Sequence, residues 1–156
     1  MRLSGHGIEV RVPSGWEGKV FRLSGTRATL HAANFALPPR DGSFGANAVS
    51  EMADDGVFVA VVEFSPRLAG QGLFAEQGVP GPLRARDASH RSMQRLVPGR
   101  AGIQRFFTAE GRAFCLYTVV GTKPSRDVLV GQANDLLRTI RVSPRPTSGS
   151  LAPLEG

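Results

Sequence analysis

Apolar and charged side chains alternate over residues 7–12, which read Gly7-Ile8-Glu9-Val10-Arg11-Val12. A period of two is typical of a β-strand with one buried face. Pro13 lacks the N–H that a β-ladder needs, so the strand is expected to end there. We therefore predict a first strand over residues 7–12.

The next segments predict two more strands and a short helix. Residues 19–23 are expected to pair back on the first strand, and residues 29–35 form a third strand before Pro38-Pro39. A helix over residues 46–52 would begin with Ser43 as its cap and end at Asp54-Asp55-Gly56.

Two apolar runs, residues 57–64 and 113–120, lack polar alternation. Such runs are typical of central strands that are covered on both faces. Residues 103–109 precede the second run, and Glu110-Gly111-Arg112 between them has the length of a hairpin connection.

The clearest helix follows Pro124-Ser125, because apolar residues recur with helical spacing at Leu129, Ala133, Leu136, Leu137 and Ile140. By contrast, residues 65–82 contain four glycines and three prolines, which predicts an excursion from the sheet. Residues 143–156 show no periodicity and are predicted to be a disordered tail.

Length and composition predict one domain over residues 1–142, followed by that tail. The chain has 156 residues, of which 41% are hydrophobic. Its single cysteine excludes an internal disulfide and a cysteine-rich zinc site. The N-terminal residues lack the apolar stretch of an export signal, and every apolar run is too short to span a membrane. We therefore expect a cytoplasmic protein.

Positive charge is concentrated between residues 84 and 112, where seven arginines face two acidic residues within a chain of net charge +6. An arginine cluster predicts attraction of anions or nucleic acid. The favoured alternative is a GC-rich coding sequence that raises the number of arginines, because only two residues are lysines. The candidate anion-binding residues are Arg84, Arg86, Arg91, Arg95, Arg100 and Arg105.

The strand ending in Pro13-Ser14-Gly15-Trp16, the antiparallel meander and the closing helix before Ile140-Arg141-Val142 resemble the PsbP/Mog-type fold. The resemblance implies an α+β fold in which helices pack on the faces of a twisted antiparallel β-sheet. Members include photosystem extrinsic subunits, which need a transit or export signal, a Ran-binding protein and DcrB-like proteins. They also include Eag-type chaperones, which hold apolar N-terminal segments of secreted effectors.

This resemblance implies a non-enzymatic protein-binding, adaptor or chaperone-like module whose partner is another protein or an apolar peptide segment. It brings no shared catalytic set and no cofactor. The candidate partner contacts are Trp16, Leu73 and Phe74. Tryptophan is enriched at binding hot spots, although the favoured reading of Trp16, at a strand exit, is a residue that closes one end of the core.

A third reading is an enzyme that uses Cys115 as nucleophile, with His31 approaching it in space. A buried structural cysteine is the favoured alternative. The histidines lack metal-site spacing.

The pattern Gly70-Gln71-Gly72-Leu73-Phe74-Ala75 resembles a dinucleotide-binding turn, but Gly78 and Pro80 would break the helix it needs. We therefore expect no cofactor.

Overall fold

The structure is a computed structural model that describes residues 1–23 and 27–145. In chain order its elements are β1 (Arg2–Gly5), β2 (Ile8–Arg11), β3 (Glu17–Arg22), β4 (Ala28–Ala33), α1 (Ala46–Glu51), β5 (Val57–Glu63), β6 (Ala101–Ala109), β7 (Arg112–Val120), α2 (Arg126–Leu137) and β8 (Arg141–Val142). The α+β class is confirmed, but the strands form two antiparallel sheets. One has the order β1-β2-β8 and the other β3-β4-β5-β7-β6.

The predicted first strand is confirmed as β2, but the predicted pairing of the next strand with it is wrong. β2 lies between β1 and β8, so both of its edges are occupied. After β2 the chain turns through Pro13-Ser14-Gly15-Trp16, where the Trp16 N–H donates to the Pro13 carbonyl at 3.1 Å and Gly15 has φ 85°. The chain thereby leaves the small sheet, and β3 pairs with β4 in the larger one.

The short helix α1 is confirmed, but its predicted cap is wrong. Gly45 is the N-cap and makes no side-chain cap bond. The Asp41 carboxylate accepts instead from the backbone N–H groups of Asn47 and Ala48, at 3.0 and 2.9 Å. Ser43 contributes only its carbonyl oxygen, which bonds the ring of His31.

The central strands and the hairpin are as predicted. β5 and β7 are buried along their whole length and pair with each other. Glu110 and Gly111 connect β6 to β7 with φ of 52° and 73°, a left-handed pair that fits the twist of a two-residue hairpin.

Helix α2 is confirmed together with its start, because the Ser125 hydroxyl accepts from the Val128 N–H at 3.2 Å. Its buried face consists of Leu129, Val130, Ala133, Leu136 and Leu137. β8 follows and pairs with β2, which brings the C-terminal part of the domain beside the N-terminal hairpin.

Two apolar cores cover the two faces of the five-stranded sheet. The first core lies between that sheet, β2 and α2, and includes Val10, Leu30, Val59, Leu116 and Leu136. The second core packs α1 and the segments around Phe44 and Met93 against the opposite face. The two covered faces explain why the central strands are continuously apolar.

The predicted tail falls mostly on residues 146–156, which lie outside the described residues. Its first residues are in contact with the fold. The Ser143 N–H donates to the Gly7 carbonyl at 2.8 Å, and Arg145 pairs with Glu63.

Glu63 of β5 and Arg112 of β7 form a buried ion pair within the five-stranded sheet, and further bonds from Arg112 reach the small sheet. The side chains are 0% and 5% exposed, and Arg112 Nε lies 3.0 Å from Glu63 Oε2. Glu63 also accepts from the backbone N–H of Ala28. The remaining Arg112 nitrogens donate to the carbonyls of His6 and Ser143, each at 3.0 Å. One guanidinium thus links β5 and β7 to the β1–β2 turn and to the residue after β8.

Replacing Glu63 with Gln should lower the free energy of unfolding by about 3–5 kcal/mol, because it leaves the Arg112 charge buried without its carboxylate. Arg2→Ala, which breaks the exposed Arg2–Glu9 pair, should cost less than about 1 kcal/mol. Urea denaturation measures both. Equal losses in the two variants would contradict this role for Glu63.

Candidate functional site

The structure divides the predicted arginine cluster into paired and unpaired residues. Arg100 lies 3.0 Å from Asp54 and also donates to the Met52 carbonyl, while Arg105 lies 3.0 Å from Asp87. Within the part of the chain that the structure describes, four candidates are exposed and make no ion pair: Arg84, Arg86, Arg91 and Arg95.

The three candidate partner contacts lie in different surroundings. Leu73 is 70% exposed, whereas Phe74 is only 5% exposed and packs against the rings of Phe64 and Phe106. Trp16 is half-buried against the first core. Phe74 is therefore a packing residue and not a surface contact.

The excursion over residues 65–82 is attached to the edge strand β6 through Thr108. Its hydroxyl accepts from the Gly70 N–H at 2.8 Å and donates to the Phe74 carbonyl at 2.6 Å. The Thr108 backbone N–H donates to the Glu76 backbone carbonyl, and the Thr108 carbonyl accepts from the Gly78 N–H. These four bonds fix the path of the excursion around the outer edge of the sheet.

After that edge, residues 79–86, which we call the strap, cross over α2. Asn134 holds the strap, because its side-chain amide accepts from the Leu83 N–H at 2.8 Å and donates to the Leu83 carbonyl at 2.9 Å. The sequence analysis did not identify Asn134. An asparagine within an amphipathic helix gives no local sign that it will bond a segment 51 residues away.

The two hydrogen bonds between Asn134 and Leu83 form what we call the Asn134–Leu83 clamp. Two open grooves lie along α2 on either side of it. The N-terminal groove has a volume of about 370 Å³ and is lined by Leu83, Arg84, Ala85, Arg86, Asp127, Val130, Gly131 and Asn134. The C-terminal groove has a volume of about 410 Å³ and is lined by Val79, Pro80, Gly81, Pro82, Asn134, Leu137, Arg138, Ile140 and Arg141. Among the candidate anion-binding residues, Arg84 and Arg86 line the N-terminal groove, and Arg105 lines a separate concavity beside residues 76–83.

The candidate pair Cys115 and His31 is not brought together. His31 pairs with Ala60, which pairs with Tyr117, whereas Cys115 pairs with Val62 and is thereby aligned with Thr29. Burial raises the pKa of the Cys115 thiol to about 12, so the group stays protonated at neutral pH. His31 is therefore not placed to serve as the base that a Cys115 nucleophile would need.

His31 is a buried histidine between two aromatic rings. Its ring meets those of Phe21 and Phe58 edge to face, each at 5.0 Å between centroids. Nε2 lies 2.7 Å from the Ser43 carbonyl, which requires a proton on that nitrogen, and Nδ1 has no partner. Burial lowers the pKa of His31, and the bond to Ser43 opposes this effect only in part.

Two negative observations apply to residues 1–23 and 27–145. No three His, Cys, Asp or Glu side chains converge there as a metal site. No helix in this range is long and apolar enough to cross a membrane.

Stability should fall as the pH drops below 6.5, the ordinary pKa of histidine. The unfolded imidazole then binds a proton that the folded one resists, so the free energy of the unfolded state falls relative to that of the native state. His31 should contribute up to about 1.4 kcal/mol per pH unit in this window.

Urea unfolding between pH 7.5 and 5 measures this dependence, and the exposed residue His90 provides the control. His90→Gln should keep the wild-type pH dependence, and His31→Gln should flatten it. NMR titration of the wild-type imidazole tests the same point without a variant; protonation of His31 above pH 6.5 would contradict it.

Iodoacetamide at pH 8 should modify Cys115 far more slowly in the native protein than in urea, because the thiol is 1% exposed and protonated. Since the chain has one cysteine, mass spectrometry reads the site directly. Native modification as fast as that in urea would instead support a reactive thiol.

Comparison with known proteins returned no match: no protein-family model, no curated protein and no solved structure matches this chain. The resemblance to the PsbP/Mog-type fold therefore stays a prediction. Functional inference depends on the chain's own residues.

Proposed function

We propose that this protein is a non-enzymatic protein-binding module that engages an apolar segment of its partner through residues 65–74, the contact loop. The observation that carries the proposal is a pair of exposed leucines on a loop with a fixed backbone. Leu73 is 70% exposed and Leu68 is 40% exposed.

The contact loop is held at its base by side chains that are separate from the exposed leucines. Phe74 is inserted between Phe64 and Phe106, with ring centroids 5.4 and 5.3 Å apart. Thr108 bonds the backbone at Gly70 and at Phe74. The loop is therefore preformed.

A preformed loop favours binding because less conformational entropy is lost when a partner docks. Each leucine that becomes covered contributes about 25 cal/mol per Å² of apolar surface removed from water. A single exposed leucine is common on protein surfaces. Two on one anchored loop provide the apolar centre that a small interface requires.

We further propose that the fold is of the PsbP/Mog type. The antiparallel strands, the helix α2 on one sheet face and the return of β8 to the N-terminal hairpin support this assignment. The motif Pro13-Ser14-Gly15-Trp16 supports it as well, since this turn carries the chain from the small sheet to the large one. The binding role that this fold type implies agrees with the contact loop.

The test is photo-crosslinking from position 73 in the native host, with position 96 as the matched control. Leu96 is 66% exposed, close to the value for Leu73, but lies outside the contact loop. A discrete protein adduct should form from position 73, persist at high salt and be absent from position 96.

The double variant Leu68→Ser/Leu73→Ser should reduce the yield of that complex about tenfold or more, given roughly 1.5–3 kcal/mol for each fully covered leucine. The midpoint of thermal unfolding should change little, because neither side chain is buried in a core: Leu73 is 70% exposed and Leu68 40%. The same yield from the double variant and from Leu96→Ser would refute the contact loop as the binding surface.

A further inference from the structure

The strap separates two surfaces of the protein. Phe74 of the contact loop packs on the sheet face that carries Phe64 and Phe106, whereas Leu83 of the strap belongs to the first core on the opposite face. The two grooves along α2 are therefore distinct from the contact loop. An inference drawn from the grooves goes beyond the proposed function.

The N-terminal groove presents guanidinium groups without partners. Arg84 and Arg86 are exposed and make no ion pair within the described residues. Asp87, the acidic residue beside them, is occupied by Arg105 at 3.0 Å and by the Arg84 backbone N–H. Asp127, at the opposite wall, is the one carboxylate that lines this groove.

The C-terminal groove is mainly apolar. Its lining combines Val79, Pro80 and Pro82 of the strap with Leu137 and Ile140. Its two arginines are engaged elsewhere, since Arg138 pairs with Asp135 and Arg141 donates to the carbonyls of Arg138 and Ile140. This groove therefore suits an aliphatic side chain better than a charged one.

We infer that the two grooves bind an extended acidic peptide segment of a partner protein. Its carboxylates pair with Arg84 and Arg86, and an aliphatic side chain enters the C-terminal groove. Guanidinium groups bind carboxylates through two parallel hydrogen bonds, so Arg84 and Arg86 favour Asp and Glu side chains over neutral ones. The Asn134–Leu83 clamp holds the strap at a constant distance from α2, so that both grooves are preformed.

The surroundings favour a peptide over nucleic acid and over a second copy of this chain. The mainly apolar C-terminal groove suits an aliphatic side chain of a peptide and matches no part of a phosphate backbone. A second copy carries the same net charge of +6, which opposes self-association through a positively charged surface.

Gly131 allows the N-terminal groove to be filled without disturbing the fold. A Cβ atom at this position would meet nothing within 4 Å, and Gly131 lies in a helix where most other residues are more favourable. Gly131→Phe should therefore occlude the groove while the protein stays folded.

The double variant Arg84→Ala/Arg86→Ala removes the guanidinium groups of the N-terminal groove. Arg91→Ala/Arg95→Ala is the control, because it removes the same charge from exposed positions outside the grooves.

The experiment selects binders from a random library of displayed 12-residue peptides, and then titrates a fluorescein-labelled selected peptide by anisotropy. We expect Asp and Glu to be enriched together with one Leu or Ile. Affinity should fall about tenfold or more for Arg84→Ala/Arg86→Ala, because charge-assisted hydrogen bonds are lost. A similar loss is expected for Gly131→Phe, because the ring occupies the groove. Affinity should change by less than about twofold for the control.

Three results would overturn the inference: no enrichment of acidic peptides, equal weakening by the control variant, or displacement of the peptide by an equal concentration of single-stranded DNA. The last two results would support general electrostatic binding of anions. Leu68→Ser/Leu73→Ser should leave peptide affinity unchanged, so failure of the contact loop and failure of the grooves give different results.

Discussion

The arrangement of the two sheets depends on the buried ion pair between Glu63 and Arg112. Strand pairing holds each sheet together, and the polar contacts that join them at this point converge on the Arg112 guanidinium and on Glu63, which also pairs with Arg145. Gly7 belongs to the same arrangement, because a Cβ atom there would lie 2.2 Å from Arg112 Nη1. The left-handed turn at His6-Gly7 thus serves both the hairpin and the close approach of the arginine. A buried pair of this kind contributes mainly by fixing which segments meet, since its desolvation offsets much of its attraction.

Several side chains that the sequence offered for catalysis or anion binding instead have structural roles in the fold. Cys115 lies within a central strand, and His31 joins the loop at Ser43 to the second core. Arg100 pairs with Asp54, which follows α1 in the chain. Arg105 pairs with Asp87, which directly follows the strap. What faces the solvent is a different set: the leucines of the contact loop, and Arg84 and Arg86 of the strap. These exposed groups suit recognition, which is why both proposals concern binding.

The segment between β5 and β6 provides most of these exposed groups. It passes around the edge of β6, where Thr108 bonds residues near Gly70 and Gly78, and where Ser89 and Gly102 bond each other. These contacts protect a sheet edge that would otherwise be open to pairing with another chain. The same winding places the contact loop on one sheet face and the strap on the other. A single excursion can therefore supply two binding surfaces.

Local patterns in the sequence determined the strands β2, β5 and β7, the hairpin at Glu110-Gly111 and the helix α2, because periodicity, turn residues and caps act over a few residues. The period of two along β6 agrees with the contacts of its phenylalanines, since Phe107 lies in the first core and Phe106 contacts Phe74 on the opposite face. Only the tertiary structure decided that β2 and β3 belong to different sheets and that Asn134 holds the strap. It also decided that Arg112 meets Glu63, while Arg84 and Arg86 make no ion pair within residues 1–23 and 27–145. These outcomes depend on pairings between residues far apart in the chain, and no local pattern records which partner a strand edge, a charge or an amide will meet.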